Sequence, residues 1–426
     1  MSDILDLNVE RPVAGGRMLA RDNGRVIFVA GAIPGERVRA RIVGATKHAV
    51  FASVMDVLDA SPDRRTPAHD PLCGGADFAH IAYDRQRALK REILIDAFRR
   101  LARLTIDPPP VAVSPEQGYR LRSRLHVSAG RVGYFLEGTH TICDAAATRQ
   151  LLPDATRLAQ ALVAAIDPGG QACDAVIVSE NIAASERVLH LEWREGADVR
   201  ALATSAATAA AALDGVTGVT MVEGGSLRVL AGRAEVSDDG RALFGSEPPF
   251  AAPIVWSRRP SSFFQANRFL IGSLVRRVLD AAAGDRVVDL YAGVGLFSLA
   301  LAAGGASVTS VEGERFAVED LRRNAAPWSD RLEVVAAPVE DIVRRPPPFV
   351  PDVVVVDPPR TGLSSVAQTG VAAWRAPRVV YVSCDPPTLA RDAAKFVASG
   401  YQLAALEAFD LFPNTPHVEA VAVFQR

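Results

Sequence analysis

Polar and apolar residues alternate along the first part of the chain, a pattern that predicts short β-strands. Two such runs cover residues 25–29 and 37–43, with a Pro34-Gly35 turn signal between them. In the second run Arg37, Arg39 and Arg41 alternate with apolar residues, so one strand face would be basic and the other buried. The pattern predicts a small β-barrel over residues 7–58. Its basic face could contact RNA or be an ordinary solvated surface.

The middle of the chain mixes helical and strand patterns. Apolar residues at helical spacing predict a helix over residues 83–104, and a strand over residues 119–126 again alternates arginines with apolar positions. That strand could line an RNA site or be a charged sheet edge. Further strands are predicted at 188–193 and 227–231 and a helix at 201–213, which indicates a mixed α+β region without a chemical motif.

From residue 263 onward, apolar strands alternate with helices. This order predicts an α/β fold with a doubly wound parallel sheet, whose strands include residues 286–290, 307–311, 352–356 and 378–382. Ligands of such sheets bind at the carboxyl ends of the strands. The residues that directly follow these strands are therefore the first candidates for chemistry.

Composition narrows the class of protein. A chain of 426 residues with 49% hydrophobic and 23% charged residues is typical of a globular protein with two or three domains, and excludes disordered, collagen-like and disulfide-scaffold classes. The net charge of −2 argues against indiscriminate coating of nucleic acid. The first six residues lack a signal-peptide pattern, and no apolar run reaches membrane-spanning length. We therefore expect a cytoplasmic protein without a membrane partner.

The cysteines show no paired spacing. They stand at Cys73, Cys143, Cys173 and Cys384. This scatter suits a reducing compartment, so each thiol has to be interpreted from its own surroundings.

Two strand ends carry the pattern of a nucleotide site. The first is followed by a glycine turn, Tyr291-Ala292-Gly293-Val294-Gly295, which lets the backbone approach a ligand, although Ser298 replaces the third glycine of the dinucleotide fingerprint. The second strand ends in Glu312, a position from which a carboxylate can accept both hydroxyls of a ribose. A structural use of Glu312 is equally compatible with the pattern.

Two further strand ends and the C-terminal loop carry reactive groups. Asp357 follows the fourth strand and is held by two prolines, while Cys384 follows the fifth strand beside a predicted helix start. A helix N-terminus favours the thiolate, so we expect local activation of Cys384. His417 and Glu419 are candidate proton-transfer groups, and structural roles for both are equally open.

Taken in order, these segments resemble one known family over nearly the whole chain. The sequence is similar to the RNA uracil-5-methyltransferases that use S-adenosylmethionine (SAM). The resemblance rests on residues 357–363 (DPPRTGL), 383–392 (SCDPPTLARD), 412–419 (FPNTPHVE) and 263–267 (FFQAN). It implies an N-terminal OB-type barrel of the TRAM kind at residues 1–60, a central RNA-binding domain at 61–255, and a Rossmann-like class I methyltransferase domain at 256–426.

The resemblance also implies roles for individual residues. SAM-binding residues would be Gln265, Tyr291, Gly293, Glu312 and Asp357. Cys384 would add to C6 of uracil, which makes C5 nucleophilic, and Glu419 would remove the C5 proton after methyl transfer. Phe263 or Phe264 could stack on the target base. Leu296 stands where the family usually has Asn, so that cofactor contact is lost or made by the backbone.

The implied partner is RNA, either ribosomal or transfer RNA, with no obligate protein partner. Many relatives also hold a [4Fe-4S] cluster on four cysteines. Here the corresponding run reads Cys73-Gly74-Gly75-Ala76, and only Cys143 matches the distal ligand. Two thiols are too few for that cluster, so we expect no metal, with Cys73 and Cys143 as remnants.

Four other functions fit these residues less well. Cytosine-5-methyltransferases of the Sun type place a cysteine after the fourth strand, and base N-methyltransferases usually place an aromatic residue where Arg360 stands. A dinucleotide oxidoreductase would leave the Cys384 and Glu419 motifs without a role. A non-catalytic RNA-binding or chaperone module is disfavoured because both reactive residues are present.

Overall fold

A computed structural model describes residues 3–47, 49–246, 248–250, 252–345 and 347–426. Met1 and Ser2, which begin the N-terminal segment used to predict the cellular location, lie outside the described residues. Within the described ranges, no helix is long and apolar enough to cross a membrane.

The N-terminal strands form a closed barrel, as the alternation predicted. They are β1 (Ile4–Pro12), β2 (Met18–Asp22), β3 (Arg25–Ala30), β4 (Arg37–Ala45) and β5 (Val50–Asp59), in the order β1-β2-β3-β5-β4. On β4 the arginines are exposed, and Val38 and Ala40 between them are fully buried.

The arginine face of the barrel is partly neutralised. Asp6 on β1 lies 3.0 Å from Arg39 and 3.8 Å from Arg37. Register places Asp56 and Asp59 of β5 opposite the same two arginines. An exposed row that is paired in this way offers less charge to an RNA backbone than the sequence pattern suggested.

A long helix follows the barrel. It is α1 (Tyr83–Ala97), and it continues into a π-helical turn at Phe98–Ala102. Its apolar side, with Leu94 and Ala97, belongs to a core shared with the C-terminal sheet. Helix α1 therefore packs on the C-terminal part of the molecule, although it comes directly after the barrel in sequence.

The central region is a sheet covered by helices on one face. After the short β6 (Val111–Ala112), its elements are β7 (Arg122–Ser128), β8 (Arg131–Phe135), β9 (Ile142–Asp144), α2 (Pro153–Ile166), β10 (Cys173–Glu180), β11 (Arg187–Trp193), α3 (Val199–Ala211), β12 (Gly218–Glu223) and β13 (Ser226–Gly232). The order is β13-β12-β11-β10-β7-β8-β9. Strand β7, with its alternating arginines, is thus internal, and the interpretation as a sheet edge was wrong.

A two-stranded ribbon connects the central region to the last one. It consists of β14 (Val236–Asp239), α4 (Gly240–Phe244) and β15 (Val255–Arg258). The expected start of the last domain at residue 256 falls inside β15.

The C-terminal region is an α/β sheet with helices on both faces, as predicted. Its elements are α5 (Ile271–Ala281), β16 (Arg286–Leu290), α6 (Leu296–Ala303), β17 (Ser307–Glu312), α7 (Arg315–Ala325), β18 (Leu332–Ala336), α8 (Val339–Val343), β19 (Val353–Val356), α9 (Ser365–Ala373), β20 (Arg378–Ser383), α10 (Pro386–Ala398), β21 (Gln402–Phe409) and β22 (Glu419–Gln425); a short 3-10 turn follows α7 at Ala326–Trp328.

The strand order of this sheet is β18-β17-β16-β19-β20-β22-β21-β6. Strands β16 to β20 are parallel, whereas β22 pairs antiparallel with both β20 and β21. The final hairpin therefore departs from the wholly parallel sheet expected. Helices α5, α6 and α7 cover one face, and α1, α8, α9 and α10 cover the other.

Two of the cysteines are joined. Cys73 and Cys143 form a disulfide across 70 residues of sequence, with Cα atoms 5.8 Å apart, so the expectation of unpaired thiols was wrong for this pair. Cys173 is buried and free, and Cys384 is free and partly exposed. No group of three or more His, Cys, Asp or Glu side chains is arranged to hold a metal ion in the described part of the chain.

Candidate active site

The glycine turn after β16 forms a cradle at the carboxyl edge of the sheet. Tyr291 and Gly293 both adopt positive φ, 62° and 56°. A Cβ atom on Gly293 would meet nothing within 4 Å, whereas one on Gly295 would lie 2.4 Å from the Leu299 side chain. Gly295 is therefore required for packing of α6, and Gly293 faces open space that a ligand can enter.

Glu312 is fixed beside this cradle. One of its oxygens accepts a hydrogen bond from the Gly293 amide at 2.8 Å, and the other accepts from the amides of Gly313 and Glu314. These backbone donors hold the carboxylate at the end of β17, next to the turn, where a ribose would lie in a sheet of this kind.

Asp357 directly follows β19, which lies on the other side of β16 from β17, and it is close to the buried Asp289. Gln265 donates to Asp357 at 3.3 Å. Burial, together with the neighbouring Asp289, raises the pKa of Asp357 to about 7, and burial raises that of Asp289 to about 7 as well. One Asp289 oxygen accepts from Ser298, and the other has no hydrogen-bond partner among the described residues. An unpaired buried oxygen beneath the cradle is suited to a polar ligand group.

Cys384 and Glu419 face each other across two paired strands. The register of β20 with β22 joins Val382 to Val421 and Ser383 to Ala420, so the next position brings Cys384 beside Glu419. Glu419 is 3% exposed, and its pKa is raised well above the ordinary value by burial and by Asp357. The three groups, thiol and two carboxyls, thus share one electrostatic environment.

The expected activation of Cys384 by the helix start is wrong for this structure. Burial, followed by Glu419 and Asp357, raises the pKa of the thiol to about 12. Helix α10 does begin close by, but its N-cap is the carboxylate of Asp385, which accepts from the Thr388 amide. The acids around the thiol outweigh the helix terminus, so Cys384 is a neutral thiol at pH 7.

The sequence motifs around Asp357 and Cys384 hold each other in place. Asp392 on α10 is fully buried, accepts from the Leu363 amide at 3.0 Å and from the Tyr381 hydroxyl at 2.8 Å, and ties the 357–363 loop to the helix. Gly362 adopts φ 75°, and a Cβ there would lie 2.2 Å from Thr388. These residues fix the loop that carries Asp357.

The two phenylalanines before Gln265 have different environments. Phe264 is 3% exposed and packs in the core beneath the Arg258 guanidinium, 3.9 Å from its ring centre. Phe263 is 62% exposed, so of the two only Phe263 is free to stack on a base. Leu296, the first residue of α6, is 6% exposed and its side chain packs in the core, so it is not available to contact a cofactor.

His417 is held neutral at the rim of the site. Burial and the nearby charges of Arg360 and Lys90 lower its pKa to about 4. Arg360 lies 3.6 Å from Asp385 and is largely exposed.

The sequence interpretation missed Asp289, Asp392 and the partners of the C-terminal loop. A carboxylate near the end of a buried strand could have marked Asp289. Asp392 was missed because its role depends on hydrogen bonds to Leu363 and Tyr381, which form only in the folded chain and leave no local sequence pattern.

A largely parallel sheet with a glycine turn after its first strand, an acid at the end of the second strand and Asp357 after the fourth is the architecture of the Rossmann-like class I methyltransferases, which use SAM. The remaining features narrow the class further. A thiol faces a carboxyl group at the same sheet edge, and a barrel precedes the catalytic part.

Comparison with known proteins supports the assignment to the methyltransferases. The chain matches the family model of tRNA (uracil-5-)-methyltransferase over residues 346–426 and that of the TRAM domain over residues 3–55. It is 34% identical to a 23S rRNA (uracil(1939)-C(5))-methyltransferase of Chromohalobacter salexigens, covering 99% of this chain and 89% of the relative. It is 33% identical to the protein of the same name from Alkalilimnicola ehrlichii, covering 96% and 94%.

The fold matches a solved structure as well. The Pyrococcus abyssi tRNA (uracil-54, C5)-methyltransferase, solved with S-adenosyl-L-homocysteine, superimposes with a TM-score of 0.75 at 24% identity and covers 98% of this chain and 99% of that one. The chain therefore belongs to the family of SAM-dependent RNA uracil C5-methyltransferases, as its motifs predicted.

Proposed function

We propose that this enzyme methylates C5 of one uridine in 23S ribosomal RNA, in the cytoplasm, through a covalent adduct between Cys384 and C6 of the base. The observation that carries the proposal is the placement of Cys384, directly after β20, beside Glu419, the first residue of the paired strand β22. The ribosomal substrate is supported by the names of the relatives, which the chain matches over nearly its whole length.

The cofactor would lie across the carboxyl edge of the sheet. Gly293 leaves the backbone open to it, Glu312 would accept the ribose hydroxyls, and Asp357 with Gln265 would border the reacting end. Tyr291 has a positive φ at the start of the turn after β16, and its side chain would flank the adenosine. When bound, SAM supplies the methyl group for C5 and the positive charge of a sulfonium.

Cys384 would act first. Its thiol must lose its proton to solvent before the sulfur can add to C6, because the thiolate is the nucleophile. Addition breaks the C5–C6 double bond and moves its electron pair toward the O4 carbonyl, which makes C5 an enolate carbon that can take a methyl group. The high pKa of Cys384 in the ligand-free protein makes this deprotonation dependent on the charges that arrive with the ligands.

Glu419 would act last. Once C5 carries both a methyl group and a hydrogen, removal of that proton restores the C5–C6 bond and expels the Cys384 sulfur. The environment that raises the pKa of Glu419 also makes its carboxylate a stronger base than an exposed glutamate. Asp357 lies close enough to influence that proton affinity.

The RNA would bind in front of this edge. We place the barrel at residues 1–60, the central RNA-binding domain at 61–255 and the methyltransferase domain at 256–426. The target base has to leave its stack, at a cost of about a few kcal/mol. Phe263 would stack on it, because its side chain is exposed and stands two residues before Gln265, whereas Phe264 is part of the core.

The test uses RNA that contains 5-fluorouracil. The protein, SAM and total cellular RNA with this substitution are mixed, and denaturation-resistant protein–RNA adducts are isolated and sequenced. Fluorine at C5 cannot leave as a proton, so the adduct should persist and reveal the target uridine. The Cys384→Ala variant should form none while keeping SAM affinity.

Three outcomes are informative. An adduct at one 23S uridine supports the proposal in full. An adduct on transfer RNA would overturn the substrate and keep the chemistry. An absence of adduct with intact SAM binding would overturn the C6 addition and favour an N-methyltransferase or a non-catalytic RNA-binding protein.

A further inference from the structure

The loop between β21 and β22 brings His417 to the rim of the site and ends at Glu419. It spans residues 410–418 and includes two prolines, Pro413 and Pro416, which have no amide hydrogen to donate. Most of its residues are buried nonetheless, so its backbone groups need partners from elsewhere in the chain. Those partners come from segments distant in sequence.

Helix α1 supplies two of the partners from one of its faces. Lys90 is fully buried, pairs with the equally buried Asp410 and donates to the Phe412 carbonyl at 3.0 Å. One turn earlier, the Gln86 amide group donates to the Asn414 side chain at 2.9 Å and its oxygen accepts from the Asn414 backbone amide at 2.9 Å. Residues four apart on a helix lie on the same face, so α1 presents both groups to the loop together.

Two other segments complete the set. Asn267, from the FFQAN motif, donates to the Leu411 carbonyl at 3.0 Å, and the Phe78 amide donates to the Asn414 carbonyl at 2.8 Å. Asn414 itself has a φ of 65°, a left-handed conformation that must be held by its surroundings. Three loop carbonyls, at residues 411, 412 and 414, therefore accept hydrogen bonds from outside the loop, and that of Phe412 also accepts from the Thr415 hydroxyl within it.

We infer that Gln86, Lys90 and Asn267 are positioning residues of the methyltransferase reaction, which hold the 410–418 loop so that Glu419 can remove the C5 proton. We call these three residues the loop clamp. The inference rests on the proposed function, because it assigns the clamp to the last step of that reaction. Among the described hydrogen bonds, none joins these three residues to Cys384 or to the glycine turn after β16.

The geometry explains why proton removal from C5 by Glu419 is the step that loss of the clamp would slow most. Cys384 is fixed by β20 and α10, and the SAM cradle is fixed by β16 and β17, so neither depends on the clamp. Glu419 is the first residue of β22 and the terminal partner of Phe409 on β21. A loop released from α1 would loosen this terminal pair first. A displacement of about 1 Å can slow a positioned step by about 100-fold.

The test compares two clamp variants with a matched control. Gln86→Leu removes the bonds to Asn414. Lys90→Met/Asp410→Leu replaces a buried ion pair by apolar side chains, an exchange that is often tolerated in folding, and removes the bond to Phe412. Arg85→Gln/Glu92→Gln removes an ion pair from the same helix, and in the described structure neither residue bonds to the loop.

Three quantities are measured for each variant: SAM affinity, the rate of trapping by 5-fluorouracil RNA, and turnover on RNA with ordinary uracil. Trapping needs attack by Cys384 on C6 and methyl transfer to C5, but it does not need removal of a proton from C5. The clamp variants should keep SAM affinity and trapping within about threefold, lose about 10–100-fold in kcat, and accumulate a methylated adduct on ordinary RNA that the control does not.

Other results would reject the clamp. Unchanged turnover in both variants, or a loss of turnover with an equal loss of trapping and no adduct on ordinary RNA, would overturn it. A wild-type enzyme that is never trapped by 5-fluorouracil RNA would instead overturn the proposed function. The two failures are therefore distinguishable.

Discussion

The chemistry of individual residues depends on burial more than on sequence neighbours. Cys384 follows a strand and precedes a helix, a position that favours a low pKa by itself. In the folded protein it shares its surroundings with Glu419 and Asp357, which together with burial raise the pKa of the thiol. In the ligand-free enzyme, the Cys384 thiol should therefore react only slowly with alkylating reagents.

This low reactivity can be measured by alkylation. Because the thiolate is the reactive form and the pKa of Cys384 is about 12, the iodoacetamide rate of the ligand-free protein should rise about tenfold per pH unit from pH 7 to pH 10. Mass spectrometry of the Cys384 peptide follows the reaction, with Cys384→Ala as the blank. A rate that levels off near pH 8 would contradict the raised pKa.

At the scale of elements, the catalytic groups are placed by contacts between a loop and a helix. Gly362 closes the loop that carries Asp357 against α10, where a side chain would collide with Thr388. Asp392 on the same helix bonds to the loop backbone. The 357–363 loop and helix α10, which carry two separate sequence motifs, therefore pack together as one unit.

A substitution at Gly362 should show this. Gly362→Ala adds both backbone strain and a steric collision, so it should lower the free energy of unfolding by about 2–4 kcal/mol and weaken SAM binding by about tenfold or more. Gly305→Ala is the control, because Gly305 has a φ of 104° but open space around it. It should cost only about 1–2 kcal/mol and leave SAM affinity unchanged.

Denaturation curves and titration calorimetry provide the two readouts. Equal losses of stability in both variants would mean that the collision with Thr388 is relieved at no cost. Unchanged SAM affinity in Gly362→Ala would show that the loop does not position Asp357.

At the scale of the whole molecule, the three regions are tied together by elements that cross between them. Helix α1 follows the barrel but packs on the C-terminal sheet, and β6 pairs with β21 at the edge of that sheet. The Cys73–Cys143 disulfide fastens the segment before α1 to strand β9 of the central sheet. The 410–418 loop is therefore supported by residues of α1, which precedes the strands of the central sheet in sequence.

The disulfide should contribute to stability. Its loss in Cys143→Ser should lower the free energy of unfolding by about 2–4 kcal/mol under non-reducing conditions, because the bond closes a long loop in the unfolded chain. With excess dithiothreitol the wild type should fall to the stability of the variant. A reductant-independent difference between them would show that the pair is not bonded in solution.

The iron content of the protein tests whether Cys73 and Cys143 take part in an iron–sulfur cluster. Two thiols that are bonded to each other leave no ligands for a cluster, so protein purified without oxygen should carry no stoichiometric iron. About four iron atoms per chain would overturn the expectation of no cluster.

The sequence by itself determined the elements and the strand-end chemistry. Strands 286–290 and 307–311 and the residues after them follow from short-range hydrophobic patterns, and the motifs around Asp357, Cys384 and Glu419 identified the family. Local patterns suffice there because a parallel sheet brings the ends of its strands to one edge whatever the details of packing.

Only the tertiary structure decided the electrostatics and the support of the site. The raised pKa of Cys384 and the choice of Phe263 over Phe264 depend on burial in the folded protein. The clamp of Gln86 and Lys90 joins side chains to a loop more than 300 residues further along the chain. Burial and charge act through distance in space, and a linear pattern does not record that distance.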